Sequence, residues 1–302
     1  MTSKHKNIAY IGLGKMGFNM VARLLGKKYR VSVYDISKHA TKKIQKLGGD
    51  PASSLQKLAE KTKPPRLFWL MVPHKVVASV IKELQPFLRK GDTVIDGGNS
   101  PYWKSEERAR AFKKRGINFL DVGVSGGPSG AKNGASLMVG GKRNVFKKCE
   151  FLFKDLAAKN GYAYLGSSGA GHFTKMIHNG IEYGMMQSLG EGFAVMRKSK
   201  FNLDLKEVAR VYNRGSVIES HLVGWLEKAF KEHGVGLKSL SGSVSQSGEG
   251  LWTVQTAKKL KISVPIIEES LKFRLRSKNK PSYTGQVLSA LRNQFGGHSL
   301  KK

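Results

Sequence analysis

Two stretches of this 302-residue sequence hold side chains that could do chemistry together. In the first, Lys175, His178, Asn179 and Glu182 recur at three- and four-residue intervals, with Tyr183 next to the last. At about 100° per residue they share one sector of a helix, with Tyr183 at its edge. An amine, an imidazole, an amide and a carboxylate then point the same way. A lysine with a depressed pKa can take a proton, and a glutamate with a raised pKa can give one. Lys175 and Glu182 stand two turns apart, about 10 Å along the axis. That spacing suits two groups acting at different ends of one small substrate. A polar face against water would use the same residue types, so periodicity leaves both readings open.

The second stretch is Gly12-Leu13-Gly14-Lys15-Met16-Gly17, a G-x-G-x-x-G pattern after an apolar strand and before a helical one. Gly12 permits a tight turn, Gly14 lets backbone approach a pyrophosphate, and Gly17 lets helix and strand pack closely. The anion then rests on the helix N-terminus. Asp35 ends the next strand, where a carboxylate can bond a ribose 2′-hydroxyl and would repel a 2′-phosphate. No arginine follows, although Lys38 and His39 lie close, so the pattern favours NAD over NADP. Asp35 could equally cap a helix, a role for which Ser37 competes. Leu13, Met16, Val72 and Asn99 complete the expected cofactor contacts.

These residues need elements to hold them. Asn7 to Leu13, Arg30 to Asp35, Arg66 to Val72, Thr93 to Asp96, Ile117 to Val122 and Ser136 to Val139 read as strands. Met16 to Gly26 and Val76 to Leu88 read as helices between them. Alternation of this kind predicts a mainly parallel sheet covered on both faces. Beyond Gly166-Ser167-Ser168-Gly169-Ala170-Gly171 the strand patterns stop. Helical periods run from His172 to Arg197, Asn202 to Tyr212, Ser216 to His233 and Pro265 to Leu275. The expected architecture is an α/β Rossmann-type dinucleotide-binding domain over 1–166 and an all-α domain over 167–302. The helix carrying Lys175 is the connector.

Composition narrows the classes. The longest strongly apolar run, Phe68 to Val72, is far short of the roughly 20 residues of a spanning helix, so no membrane protein is expected. The polar start, Met1 to Asn7, lacks a signal-peptide core, and the single Cys149 cannot form an internal disulfide; both fit the cytoplasm. The eight histidines show no histidine–carboxylate cluster at ligand spacing, so no metal is expected. The net charge of +32 could serve a polyanion or a phosphorylated substrate. The basic residues are scattered and no nucleic-acid motif accompanies them, which favours a solvated basic surface over nucleic acid.

Five segments together resemble the decarboxylating 6-phosphogluconate dehydrogenases, in their short NAD-type form, within the β-hydroxyacid dehydrogenase superfamily. They are the glycine loop, Asp96-Gly97-Gly98-Asn99-Ser100, Val124-Ser125-Gly126-Gly127, Lys175 through Gly184, and Arg292-Asn293-Gln294-Phe295-Gly296-Gly297-His298. The resemblance spans essentially the whole chain. It implies that Lys175 is the general base for the substrate 3-hydroxyl and Glu182 the acid that protonates C1. It implies that Asn99, Ser125, Gly126, Gly127, His178 and Asn179 orient the sugar acid. Tyr183, Arg214, Arg274 and Arg292 would contact its phosphate, with Arg276 a rival for Arg274. It further implies a homodimer or homotetramer in which Arg292 and His298 enter a partner's site. Two alternatives remain open: a non-decarboxylating relative such as 3-hydroxyisobutyrate dehydrogenase, and a basic polyanion-binding module on the same fold.

Overall fold

A computed structural model describes residues 6–297. His298, expected at a substrate phosphate, lies outside the described residues. The chain forms two compact units, 1–176 and 177–302, which divide inside a helix rather than at the glycine-rich punctuation near residue 166.

The first unit is built on an eight-stranded sheet. Its strands are β1 (Asn7–Ile11), β2 (Arg30–Tyr34), β3 (Asp50–Pro51), β4 (Leu67–Leu70), β5 (Thr93–Asp96), β6 (Asn118–Ser125), β7 (Ala135–Gly141) and β8 (Ala157–Gly166), in the order β3-β2-β1-β4-β5-β6-β7-β8. All neighbours pair in parallel except β6 and β7, which run antiparallel with Asp121 opposite Gly140 and Ser125 opposite Ser136. The central strands are apolar on both sides because both sides are covered. Ile8, Tyr10, Trp69, Ile95 and Leu120 join one core, and Ala9, Ile11, Phe68, Leu70 and Val94 the other.

The crossover helices are α1 (Lys15–Gly26), α2 (Lys38–Gln45), α3 (Leu55–Glu60), α4 (His74–Leu84), α5 (Tyr102–Lys114), α6 (Gly127–Asn133) and α7 (Arg143–Leu156). Ser37 caps α2 through the Ala40 N–H, as its rivalry with Asp35 allowed, and Ser54 caps α3. The short β3 and the terminal β8 were not expected. Strand β8 mixes Lys159, Asn160 and Gly161 into its first half, so it lacks the β-branched run that marks the others.

Helix α8 (Ala170–Lys198) begins in the first unit and continues into the second. The second unit adds α9 (Leu205–Tyr212), α10 (His221–His233), α11 (Glu249–Lys259), α12 (Pro265–Arg276) and α13 (Tyr283–Gly296). Its core is formed by Met186 and Phe193 of α8 with Leu205, Leu226, Phe230, Val287, Leu288 and Leu291. Asp204, Ser220 and Ser282 cap α9, α10 and α13 through their side-chain oxygens. No helix among the described residues is long and apolar enough to cross a membrane. The fold is the expected Rossmann-type unit followed by a helical one.

Candidate active site

The turn from β1 into α1 is shaped by what its glycines exclude. A Cβ on Gly12, whose φ is +99°, would meet the Met71 carbonyl and lie 2.8 Å from Val72 Cγ1. A Cβ on Gly17 would strike the Gly12 carbonyl. Gly14 faces open space and precedes α1 with no side chain capping the first turn. A helix N-terminus without a side-chain cap is what a pyrophosphate needs. Leu13 is buried, while Met16 packs partly on the core. Asp35 Oδ2 accepts the Leu13 N–H at 2.5 Å and Oδ1 the Ser37 N–H at 2.7 Å. These bonds hold the carboxylate beside the glycine turn, as a ribose partner requires. The residues therefore fit a nicotinamide dinucleotide.

Asn99 follows β5 in a left-handed conformation, φ 56°, which asparagine tolerates better than most side chains. The fully buried Asp96 fixes this loop. Its Oδ1 accepts the Gly98 N–H at 2.9 Å, and its Oδ2 accepts Ser100 Oγ at 2.8 Å and Arg108 Nη1 at 2.7 Å. Arg108 comes from α5, and no local motif pointed to it. Gly126 and Gly127, after Ser125 at the end of β6, both take positive φ, 114° and 60°, so this turn also needs glycine.

The start of α8 is bound to β6 by a second buried aspartate. Asp121 accepts the N–H groups of Gly169 at 2.7 Å and His172 at 2.9 Å, a carboxylate at the positive end of a helix. Gly171 and Gly123 let helix and strand touch: a Cβ on Gly171 would meet the Met138 carbonyl, and one on Gly123 would meet Lys175 Cβ. Lys175 is thus pressed on β6 two residues before Ser125 and is 7% exposed. His172 is buried, with Nδ1 2.7 Å from Ser105 Oγ.

In the second unit, His178 Nδ1 lies 3.1 Å from Asn179 Oδ1 and 3.7 Å from Glu182 Oε2, so three of the expected residues meet along one face of α8. Gly180 brings the helix against Thr253 of α11. Tyr183 is buried, and the Arg274 guanidinium lies over its ring, 3.4 Å from the centroid. Arg274 is only 2% exposed. Its Nη1 reaches the Ser245 carbonyl at 3.5 Å and its Nη2 reaches Met186 Sδ at 3.5 Å. Arg292 Nη1 donates to Ser245 Oγ at 2.9 Å.

Burial lowers the Arg274 pKa to about 10; the like charge of Arg292 lowers it further, while Glu182 and Glu249 oppose the shift. Burial likewise lowers Arg292, against the pull of Tyr183, Glu249 and Glu182. Tyr183 is raised, mainly by its own burial. Two partly or fully desolvated guanidiniums beside the phenol ring of Tyr183 suit an anion.

The remaining expected residues fall elsewhere. Arg276 is exposed and faces Glu269 at 3.5 Å, so of the two rivals it is Arg274 that joins Tyr183. Arg214 is exposed, donates to the Asn213 carbonyl and lies 3.8 Å from Glu227. Arg292 joins Tyr183 from α13 of its own chain, whereas the resemblance assigned this segment to a partner's site. Arg108 and Asp121 were not singled out; Asp96 entered only with its Gly-Gly-Asn segment, and residues 241–252, with Ser245 and Glu249, only as family-like lining of a cleft. An aspartate ending a strand before Gly-Gly is a readable sign of a buttressed loop, but a partner on a distant helix carries no local signal.

Known proteins resemble this chain along most of its length. Residues 7–166 match the family model of the NAD binding domain of 6-phosphogluconate dehydrogenase, and residues 171–294 that of the 6-phosphogluconate dehydrogenase C-terminal domain. The chain is 45% identical to YqeC of Bacillus subtilis (strain 168), itself only provisionally called a 6-phosphogluconate dehydrogenase, over 98% of this chain and 99% of that one. It is 37% identical to the NAD(+)-dependent, decarboxylating 6-phosphogluconate dehydrogenase of Haloferax volcanii, over 98% of both. The solved 6-phosphogluconate dehydrogenase of Plasmodium falciparum superposes with a TM-score of 0.83 at 28% identity, over 91% of this chain and 62% of that longer one. A 3-hydroxyisobutyrate dehydrogenase from Salmonella typhimurium shares the fold, with a TM-score of 0.76 at 19% identity.

Proposed function

The chain belongs to the 6-phosphogluconate dehydrogenase family, and on that premise we propose that it oxidises and decarboxylates 6-phosphogluconate to ribulose 5-phosphate and CO2, with NAD preferred over NADP. The observation that carries this reading is the buried stack of Arg274 on Tyr183 with Arg292 beside it. A substrate ending in phosphate uses such a cluster; a small hydroxyacid without one has no need of it. The relatives named for NAD-dependent decarboxylation support the same choice.

Lys175 Nζ takes the proton of the 3-hydroxyl as C3 is oxidised. A bound nicotinamide supplies the hydride acceptor for that step. The resulting lysine ammonium then faces the C3 carbonyl oxygen and stabilises the negative charge that builds there as CO2 leaves. Glu182 delivers a proton to C1 of the enediol. His178, whose Nδ1 lies between Asn179 Oδ1 and Glu182 Oε2, holds that carboxyl in place. Asn99, Ser125, Gly126, Gly127 and Asn179 orient the sugar acid. Asp35, its carboxylate held beside the glycine turn by the Leu13 and Ser37 N–H groups, would accept a ribose 2′-hydroxyl and repel a 2′-phosphate, which favours NAD.

The test is absorbance of reduced nicotinamide with 6-phosphogluconate, run with NAD and NADP in parallel while CO2 is collected. Turnover with matching CO2, faster with NAD, is expected. Turnover without CO2, or with 3-hydroxyisobutyrate instead, would transfer the chain to the non-decarboxylating reading. For the assembly we propose a homodimer or homotetramer in which Arg292 serves the site of its own chain, where the Ser245 contact supports it. Mixed oligomers of inactive Lys175→Met and Arg292→Ala chains then stay inactive; restored activity would show that the C-terminal segments exchange between partners' sites.

A further inference from the structure

Glu249 is the first residue of α11 and 5% exposed. Few acidic side chains are buried without a charged partner. Its Oε2 accepts Ser247 Oγ at 2.7 Å. The segment around it lies on the arginine cluster. Ser245, four residues earlier, takes Arg274 on its carbonyl and Arg292 on its hydroxyl. Gly250, the next residue, is so close to Tyr183 that a Cβ there would come within 2.5 Å of the ring. The charge of Glu249 acts on Tyr183, Arg274 and Arg292 alike. Glu182 faces the same cluster from α8. Acidic side chains therefore already face the two guanidiniums before any anion arrives.

We propose that Glu249 is an internal counter-ion of this subsite: it holds Arg274 and Arg292 together while no phosphate is bound, and it limits how tightly phosphate binds. A buried and a half-buried like charge repel one another, and a nearby carboxylate relieves that repulsion. The same carboxylate repels an incoming phosphate dianion. The subsite is thereby set for loose binding and fast release of the phosphorylated end, and against small anions that bring no further contacts. Glu249 is a specificity-determining residue in this sense, acting on the arginines and not on the reacting carbons. The proposal rests on the reading of the Tyr183–Arg274–Arg292 cluster as a phosphate subsite.

The experiment titrates inorganic phosphate into the intact protein by calorimetry at fixed ionic strength. The open N-terminus of α1 is a second place for phosphate, so the subsite signal is defined as the part lost in Arg292→Ala. Glu249→Gln and Glu249→Ala are expected to bind phosphate at the subsite at least about fivefold tighter than the parent chain, on the scale of one unit charge removed near two others. Their melting temperatures without phosphate should fall, and the rise on adding phosphate should be larger than in the parent. Equal or weaker phosphate binding by a folded neutral variant overturns the counter-ion role. Failure of both variants to fold would make Glu249 a structural ion and overturns it too. If Arg292→Ala removes no phosphate signal from the parent chain, the phosphate reading of the cluster itself falls, which separates that failure from the others.

Discussion

Lys175 carries the heaviest assignment, and its surroundings make the assignment testable. It is pressed against Gly123 and nearly excluded from water. Lys175→Met is expected to abolish substrate-dependent reduction of the nicotinamide, by three orders of magnitude or so if the base supplies its usual share, while calorimetry shows dinucleotide affinity unchanged. Near-normal turnover would remove Lys175 from the mechanism. Asp35 offers an independent check. Replacing it by serine removes the charge opposed to a 2′-phosphate, so the ratio of kcat/KM for NADP to that for NAD should rise about tenfold or more; an unchanged ratio would mean that Asp35 serves only to tie Leu13 to Ser37. At this scale the sequence was most informative about residues that act through a helix. The three- and four-residue spacing of His178, Asn179 and Glu182 becomes real contact. It was least informative where a partner arrives from far along the chain. Arg108 reaches Asp96 from twelve residues away, and Ser245 meets Arg292 forty-seven residues on.

Helix α8 shows how an element places a side chain. Its first turn is anchored by Asp121, which accepts two of its N–H groups from inside the sheet. The anchor, with Gly171 and Gly123 allowing close approach, sets the rotation of the helix and hence the direction of Lys175. Asp121→Ala leaves two buried N–H groups without their acceptor and should cost about 3 kcal/mol, read as a lower urea midpoint. It should also reduce kcat more than dinucleotide affinity, because the glycine turn at Gly12 is not touched. Loss of stability with kcat intact would show that the helix keeps its orientation by packing alone. The expected helix, His172 to Arg197, lies within the observed Ala170–Lys198, since its period and its glycine-rich start were both visible. Helices α11 and α13 were not read from the sequence; their residues are placed by contact with α8, α10 and α12, which no local window contains.

The whole molecule carries an unusual set of buried protons. Tyr10 and Tyr29 are raised by burial, Tyr283 is pushed up to about 12 and Cys149 to about 12, both by burial. Each is an acid whose folded pKa exceeds its unfolded one. The native chain then holds more protons than the unfolded chain above about pH 9, and stability falls as pH rises from there towards 12. Arg274, lowered to about 10, and Arg292 work the other way, against these four and Tyr183, which burial also raises. Urea midpoints measured from pH 8 to 11 should decline, and the decline should be shallower in Tyr283→Phe; a flat profile would show that these groups reach water in the folded state. The charge of +32 sets no fold by itself, and the strand-and-helix alternation that does was legible because both faces of the sheet demanded apolar runs. The exception was the antiparallel pairing of β6 with β7, which no apolar run announces. Its consequence is one of parity. Strands β1 to β6 point one way, and β7 and β8 point back, so the chain leaves the sheet at the end of the strands opposite the glycine turn, and α8 climbs along β6 from Asp121 past Gly123 towards Ser125. Among the described strands there is one reversal; a second would send the same helix, and its lysine, away from the loop at Ser125.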